Sequence, residues 1–80
     1  MSKLPLVSSE KIIRSLLKAG FDYAPIKGKG SHTALVREGL YDEKFLVIIP
    51  KRNPVPKGTL ISIIKQSGYS RDEFIKLISN

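Results

Sequence analysis

The residues of this chain with the clearest capacity for chemistry lie in Lys27-Gly28-Lys29-Gly30-Ser31-His32-Thr33, which holds the only histidine of the sequence. An imidazole titrates near pH 6.5 when unperturbed, so histidine is the side chain best matched to take or give a proton near neutrality. Gly28 and Gly30 let the main chain approach a ligand closely, and Lys27 and Lys29 place positive charge beside the imidazole. Proton transfer on an anionic substrate is the chemistry this grouping suits. The same residues also fit a hairpin turn with a solvated histidine, and the rest of the chain has to decide between the two.

Charge points the same way. The 80 residues carry a net charge of +7 with an isoelectric point near 9.9, which favours a polyanionic partner: nucleic acid first, an acidic protein second, an anionic membrane third. From position 44 to 71 there are six cations (Lys44, Lys51, Arg52, Lys57, Lys65 and Arg71) and no acid; from 23 to 37 there are three (Lys27, Lys29 and Arg37), again with none. If these stretches converge they form a basic face that binds phosphates with strong salt dependence; otherwise the lysines are spread over a solvated surface. Without cysteine there is neither a disulfide nor a thiolate metal site, and a single histidine argues against structural zinc, so no metal and no cofactor are expected. Residues 1–7 lack the apolar run of a signal peptide and no segment is long enough to span a membrane, so a soluble, cytoplasmic protein with no membrane partner is expected.

The elements that must position His32 follow from local pattern. Leu, Ile, Val and Phe make up 26 of the 80 residues, enough for one packed core, so residues 1–80 read as a single domain. Ser8 or Ser9 caps a first helix that buries Ile12, Ile13, Leu16 and Leu17 and stops at Gly20. Residues 21–26 read as a strand with Phe21 and Tyr23 on one side, shortened or pushed to an edge by Pro25. Residues 32–37 and 45–49 read as two strands joined by a turn-forming link, hence antiparallel neighbours. Placing Thr33 and Leu35 toward the helices leaves His32 on the opposite, reachable face. Residues 50–56, with three prolines, form a loop. Gly58-Thr59 opens a helix with Leu60, Ile63 and Ile64 on its buried stripe and Gly68 at its end. Ser70 and Glu73 have capping-box spacing and begin a short last helix carrying Phe74, Ile75, Leu77 and Ile78. Leu16, Leu17, Leu35, Val47, Leu60, Ile64, Phe74 and Leu77 are expected to be buried together. The fold class is α+β: a helix, a three-stranded antiparallel sheet and a helix, plus a short C-terminal helix.

With this order in place, the chain resembles the HicA-type (YcfA-like) mRNA interferase toxins of HicAB toxin–antitoxin pairs over almost its whole length. The resemblance rests on Leu17-Lys18-Ala19-Gly20-Phe21, Lys29-Gly30-Ser31-His32, Val47-Ile48-Ile49-Pro50, and Lys57-Gly58-Thr59-Leu60 followed by Ile63-Ile64-Lys65-Gln66-Ser67-Gly68-Tyr69-Ser70. It implies a small fold like that of a double-stranded-RNA-binding domain, metal-independent endoribonuclease activity on mRNA, and inhibition by a HicB-like antitoxin. The catalytic histidine of the family's Gly-Ser-His motif falls on His32. The chain departs from the family where a second histidine often follows the first, here Thr33, and where another follows the third strand, here Lys51-Arg52-Asn53. A scheme with two histidines is thereby put in doubt.

RNA is cut without metal when a base removes the 2′-OH proton, the oxygen attacks the adjacent phosphate, and an acid protonates the leaving 5′-oxygen. Each positioned group contributes roughly 10²- to 10⁴-fold. His32 fills one role; water, Lys29, Tyr23 or Tyr41 are the candidates for the other. Lys27, Lys29 and Lys57, with the amides of Gly28, Gly30 and Gly58, are candidates to stabilise the developing charge, with Ser31, Lys51 and Arg52 on the same RNA-binding surface. Gly58-Thr59 at a helix start offers a local phosphate site, or simply an ordinary helix start. Tyr23, Tyr41 and Tyr69 either stack bases or pack as half-buried core. Two other classes use the same surface without chemistry: a non-catalytic module of the double-stranded-RNA-binding type, touching RNA by shape, and a basic protein docking an acidic partner. Neither has a need for His32.

Overall fold

The computed structural model of the chain describes residues 3–25 and 32–79. Helix α1 (Ser9–Lys18) starts where the Ser8 side chain accepts a hydrogen bond from the Lys11 N–H at 3.2 Å, with Glu10 in its first turn and Lys18 in its last. Its apolar stripe buries Ile12 and Leu16, with Ile13 and Leu17 half-buried beside them. The chain leaves the helix through Gly20 at φ +104°, a conformation that glycine adopts without a side-chain clash.

Strand β1 (Asp22–Tyr23) is shorter than the 21–26 expected. The Phe21 N–H donates to the Leu16 carbonyl at 3.0 Å, so Phe21 belongs to the helix-ending turn and points into the core at 1% exposure, whereas Tyr23 is 63% exposed. The two do not share a side. Pro25 has no N–H to extend the ladder, whose last bond runs from the Ala24 N–H to the Ala34 carbonyl; Ile26 lies outside the described residues.

Strands β2 (His32–Glu38) and β3 (Lys44–Pro50) pair antiparallel over seven residues, from His32 opposite Pro50 to Glu38 opposite Lys44, and β2 is the central strand of the sheet. Period-two alternation turns Leu35, Val47 and Ile49 into the core, with Thr33 half-buried on the same side as expected. Ala34, Val36, Leu46 and Ile48 fall on the outer side, where Leu46 and Ile48 are 43% and 38% exposed.

Helix α2 (Lys57–Ser67) begins one residue before the expected Gly58, after Pro56, and ends at Gly68. Gly68 has φ +82°, and the Phe45 ring occupies the space a Cβ would need, so two independent constraints demand glycine there. Gln66 of α2 accepts the Ile48 N–H at 2.9 Å, capping part of the β3 edge with a side chain. Helix α3 (Arg71–Ser79) carries the expected capping box in full: Ser70 Oγ accepts the Glu73 N–H at 3.1 Å and Glu73 Oε1 accepts the Ser70 N–H at 2.8 Å.

The core gathers Val7, Phe21, Val55 and Phe74 with the aliphatic residues of both long strands and all three helices. Leu16, Leu35, Val47, Leu60, Ile64 and Phe74 are buried in it as expected, and Leu17 and Leu77 pack at its margin. The observed architecture is α+β, with the helix, three-stranded antiparallel sheet and helices in the order expected of a small fold like that of a double-stranded-RNA-binding domain.

The capping box yields a prediction about pH. The backbone N–H of Ser70, and then its side chain, hold the Glu73 carboxyl below the usual carboxylate range. A lowered carboxyl stabilises the fold above its unfolded titration point and ceases to do so as pH falls through the folded one. Glu73→Gln keeps an acceptor but does not titrate, so the stability advantage of the wild type over this variant should shrink on acidification in thermal melts from neutral to acid pH. Ser70→Ala should cost about 1 kcal/mol at neutral pH.

Candidate active site

His32 is the first residue of β2, paired with Pro50 at the end of the sheet, and its side chain is exposed. Strand parity groups it with Ala34 and Val36 on the outer side. Because it ends the strand, however, it also lines a depression of about 220 Å³ whose other walls are Ser9, Glu10 and Ile13 of α1, Thr33 of β2, Ile49 of β3, and Lys51. The imidazole is therefore reachable, as expected, but it sits at the junction of sheet end and helix start rather than over the open sheet face.

That junction is held by the loop of residues 51–56. The Ser9 N–H donates to the Arg52 carbonyl at 2.9 Å, the Arg52 N–H donates to Ser9 Oγ at 3.2 Å, and the Val55 N–H donates to the Val7 carbonyl at 2.8 Å. Ser9 is itself buried, so the pair of bonds fixes the first turn of α1 against the residues that follow β3. Lys51, Arg52 and Asn53 line an adjoining depression of about 190 Å³ with Ser8, Ser9 and Glu10. Imidazole, ammonium, guanidinium and one carboxylate thus share a single corner of the molecule.

The other expected site residues divide into three groups. Lys27, Gly28, Lys29, Gly30 and Ser31 lie outside the described residues. Lys57 lines a different depression, with Lys3, Leu4, Pro5, Leu6, Val55 and Leu60, and Gly58 and Thr59 follow it in the first turn of α2; this places them apart from the walls around His32. Among the tyrosines, Tyr69 packs against Phe21, ring centroids 6.5 Å apart, while Tyr23 and Tyr41 are exposed. Tyr41 sits in the β2–β3 turn, at the opposite end of β2 from His32. Seven strand residues span roughly 20 Å, so Tyr41 is not a proton partner of this imidazole.

Arg37 is not part of a basic face. Its guanidinium carbon lies 5.3, 5.1 and 5.5 Å from the ring centroids of Phe21, Phe45 and Tyr69, and its Nε is buried with no hydrogen-bond partner. Three ring faces offset that missing bond through cation–π attraction, about 0.5 to 2 kcal/mol per contact. Lys44, opposite Glu38 beside the turn, is also remote from His32. Among the described cations, Lys51 lines the depression with His32 and Arg52 lines the adjoining one. Of the cations in the 23–37 stretch, Lys27 and Lys29 lie outside the described residues, and Arg37 does not join Lys51 and Arg52.

Glu10 is the residue that sequence reasoning passed over. Its place in the first turn of a helix explains it locally, and no periodicity says that this turn abuts the strand end bearing His32. Among the described residues no cluster of three or more histidines or carboxylates is placed to hold a metal ion, and no helix is long and apolar enough to cross a membrane.

A protein-family comparison bears on this geometry. The family model described as the HicA toxin of bacterial toxin–antitoxin matches residues 9–69, from the first residue of α1 to just beyond Gly68. No curated protein matches the chain.

Proposed function

Given that the chain belongs to the HicA toxin family of bacterial toxin–antitoxin pairs, we propose that it is an endoribonuclease that cleaves mRNA in the cytoplasm, without a metal ion, using His32 to transfer a proton. The observation that carries this reading is the exposed imidazole opening into a depression that Lys51 also lines. In the reaction a base takes the 2′-OH proton, the 2′-oxygen bonds to phosphorus, the bond from phosphorus to the 5′-oxygen breaks, and the departing oxygen receives a proton. The products are a 2′,3′-cyclic phosphate and a 5′-OH. In this reading Lys51, which lines the depression with His32, and Arg52, which lines the adjoining one, offset the charge that builds on the phosphate oxygens. Lys27, Lys29 and the amides of Gly28 and Gly30, which precede His32 in sequence, are assigned the same role in this reading. The partner in this reading is a HicB-like antitoxin that covers His32 with an acidic surface matched to Lys51 and Arg52.

Growth tests the proposal. Expression of the chain alone in bacterial cells should halt growth, and His32→Ala should abolish the arrest at equal protein level. Growth arrest by the variant would leave a non-catalytic RNA binder as the better reading. RNA affinity supplies a separate check on the charged corner. It should fall steeply with salt, with a log–log slope of about −0.7 per phosphate contacted on single strands. Replacing both Lys51 and Arg52 by alanine should flatten that slope by about one contact each. A slope equal to that of the wild type would assign the charge excess to solubility.

A further inference from the structure

We propose that Glu10 is the general base that partners His32, which then serves as the general acid; this rests on the ribonuclease reading above. The chain has one histidine, so the second proton-transfer group must be of another kind. Of the described residues lining the depression with His32, only Glu10 and Lys51 carry ionisable side chains. Carboxylates are ordinarily ionised at neutral pH and able to accept a proton, whereas ammonium groups are ordinarily protonated and act there as fixed charge. Glu10 therefore suits removal of the 2′-OH proton, His32 suits protonation of the departing 5′-oxygen, and Lys51 suits the phosphate between them.

Geometry sets Glu10 apart from the other carboxylates. Glu38, Asp42 and Glu43 lie at the β2–β3 turn end of the sheet, Asp22 pairs with Val36 on β1, and Asp72 and Glu73 begin α3. Glu10 lines both depressions of the charged corner, and its carboxylate is exposed. Its backbone is anchored by the neighbouring Ser9, buried and doubly hydrogen-bonded to Arg52. A base must hold its position relative to the acid through the reaction, and the Ser9–Arg52 bonds tie the helix bearing Glu10 to the loop that follows the partner strand of His32. The described charged groups that line the two depressions with them are Lys51 and Arg52, both cationic, and Arg14 follows Glu10 by four residues on α1.

The step balances. Glu10 gains the 2′-OH proton, the bond from the 2′-oxygen to phosphorus forms as the bond to the 5′-oxygen breaks, and the imidazolium of His32 gives its proton to the leaving oxygen. Exchange with water resets both groups.

The test uses two short RNA substrates, one natural and one with sulfur in place of the bridging 5′-oxygen at the scissile bond. A thiolate leaves without help from an acid. Glu10→Gln should lower cleavage of both substrates by roughly 10²-fold or more, with RNA affinity retained and melting temperature lowered only by the small loss of a first-turn carboxylate. His32→Ala should lose the natural substrate but regain much of the sulfur one. Glu10→Asp, which keeps the carboxylate, should retain more activity than Glu10→Gln. Glu10→Gln cleaving within a few-fold of wild type while His32→Ala is inactive would overturn the role of Glu10 and leave the ribonuclease reading standing. A loss in Glu10→Gln that merely tracks a lowered melting temperature would overturn it as well. Wild-type cleavage by His32→Ala on the natural substrate would instead remove the ribonuclease reading and this inference with it.

Discussion

His32→Ala should reduce RNA cleavage by roughly 10²- to 10⁴-fold, the contribution of a positioned proton-transfer group, while leaving the fold intact. The side chain is exposed at the first residue of β2, and its register partner there is Pro50. Surface substitutions of that kind change stability by no more than about 0.5 kcal/mol, so melting curves of variant and wild type should superimpose. RNA affinity should also stay close to that of the wild type, because Lys51 and Arg52 remain in place. Side-by-side measurement of melting, binding and cleavage separates the outcomes. A marked loss of stability would identify His32 as a packed residue rather than a reactive one.

Phe74→Ala should have the largest effect on folding. Phe74 has no exposed surface and sits in the core on α3, which packs against α1. Removing a buried ring costs about 3 to 5 kcal/mol, from lost transfer energy and the cavity left behind. A small domain has roughly 5 to 15 kcal/mol in total and, at this length, sits toward the lower end. The variant should be largely unfolded at growth temperature and should lose activity for that reason alone. Urea titration followed by circular dichroism would check it; a cost below about 1 kcal/mol would contradict the place of α3 in the core.

The features legible in the sequence are those set by short-range rules. Ser70 and Glu73 announced α3 because a capping box is three residues wide. Gly68 ended α2 because the left-handed turn after a helix favours glycine. Alternation alone leaves the inner face of the sheet open; assigning His32 outward puts Thr33 and Leu35 on the core side, where Leu35 is buried and Thr33 half-buried. His32 itself stood out as the one histidine beside glycines and lysines.

The features that were not legible depend on contacts far apart in the chain. Phe21 left the strand pattern because its N–H turns back to Leu16. Arg37 looked like a surface cation, yet its environment is made by Phe21, Phe45 and Tyr69, which three different parts of the sequence bring together. Glu10 sits in the first turn of α1, where the helix dipole alone accounts for a carboxylate. Its nearness to His32 depends on the Arg52–Ser9 bond, formed between residues 43 apart, and nothing in the local pattern around either residue encodes it. The candidate site was thus half readable: its histidine from motif, its carboxylate only from topology.

The most direct test of the central claim is the chemistry of the cut ends when the purified chain digests a single-stranded RNA in excess chelator. Attack by the 2′-oxygen with proton transfer at His32 predicts that cleavage survives the chelator and leaves 2′,3′-cyclic phosphate, or the 3′-phosphate from its hydrolysis, opposite 5′-OH. It also predicts almost no such ends from His32→Ala. Ends bearing 3′-OH and 5′-phosphate, cleavage that stops with the chelator, or equal cleavage by the alanine variant would contradict it.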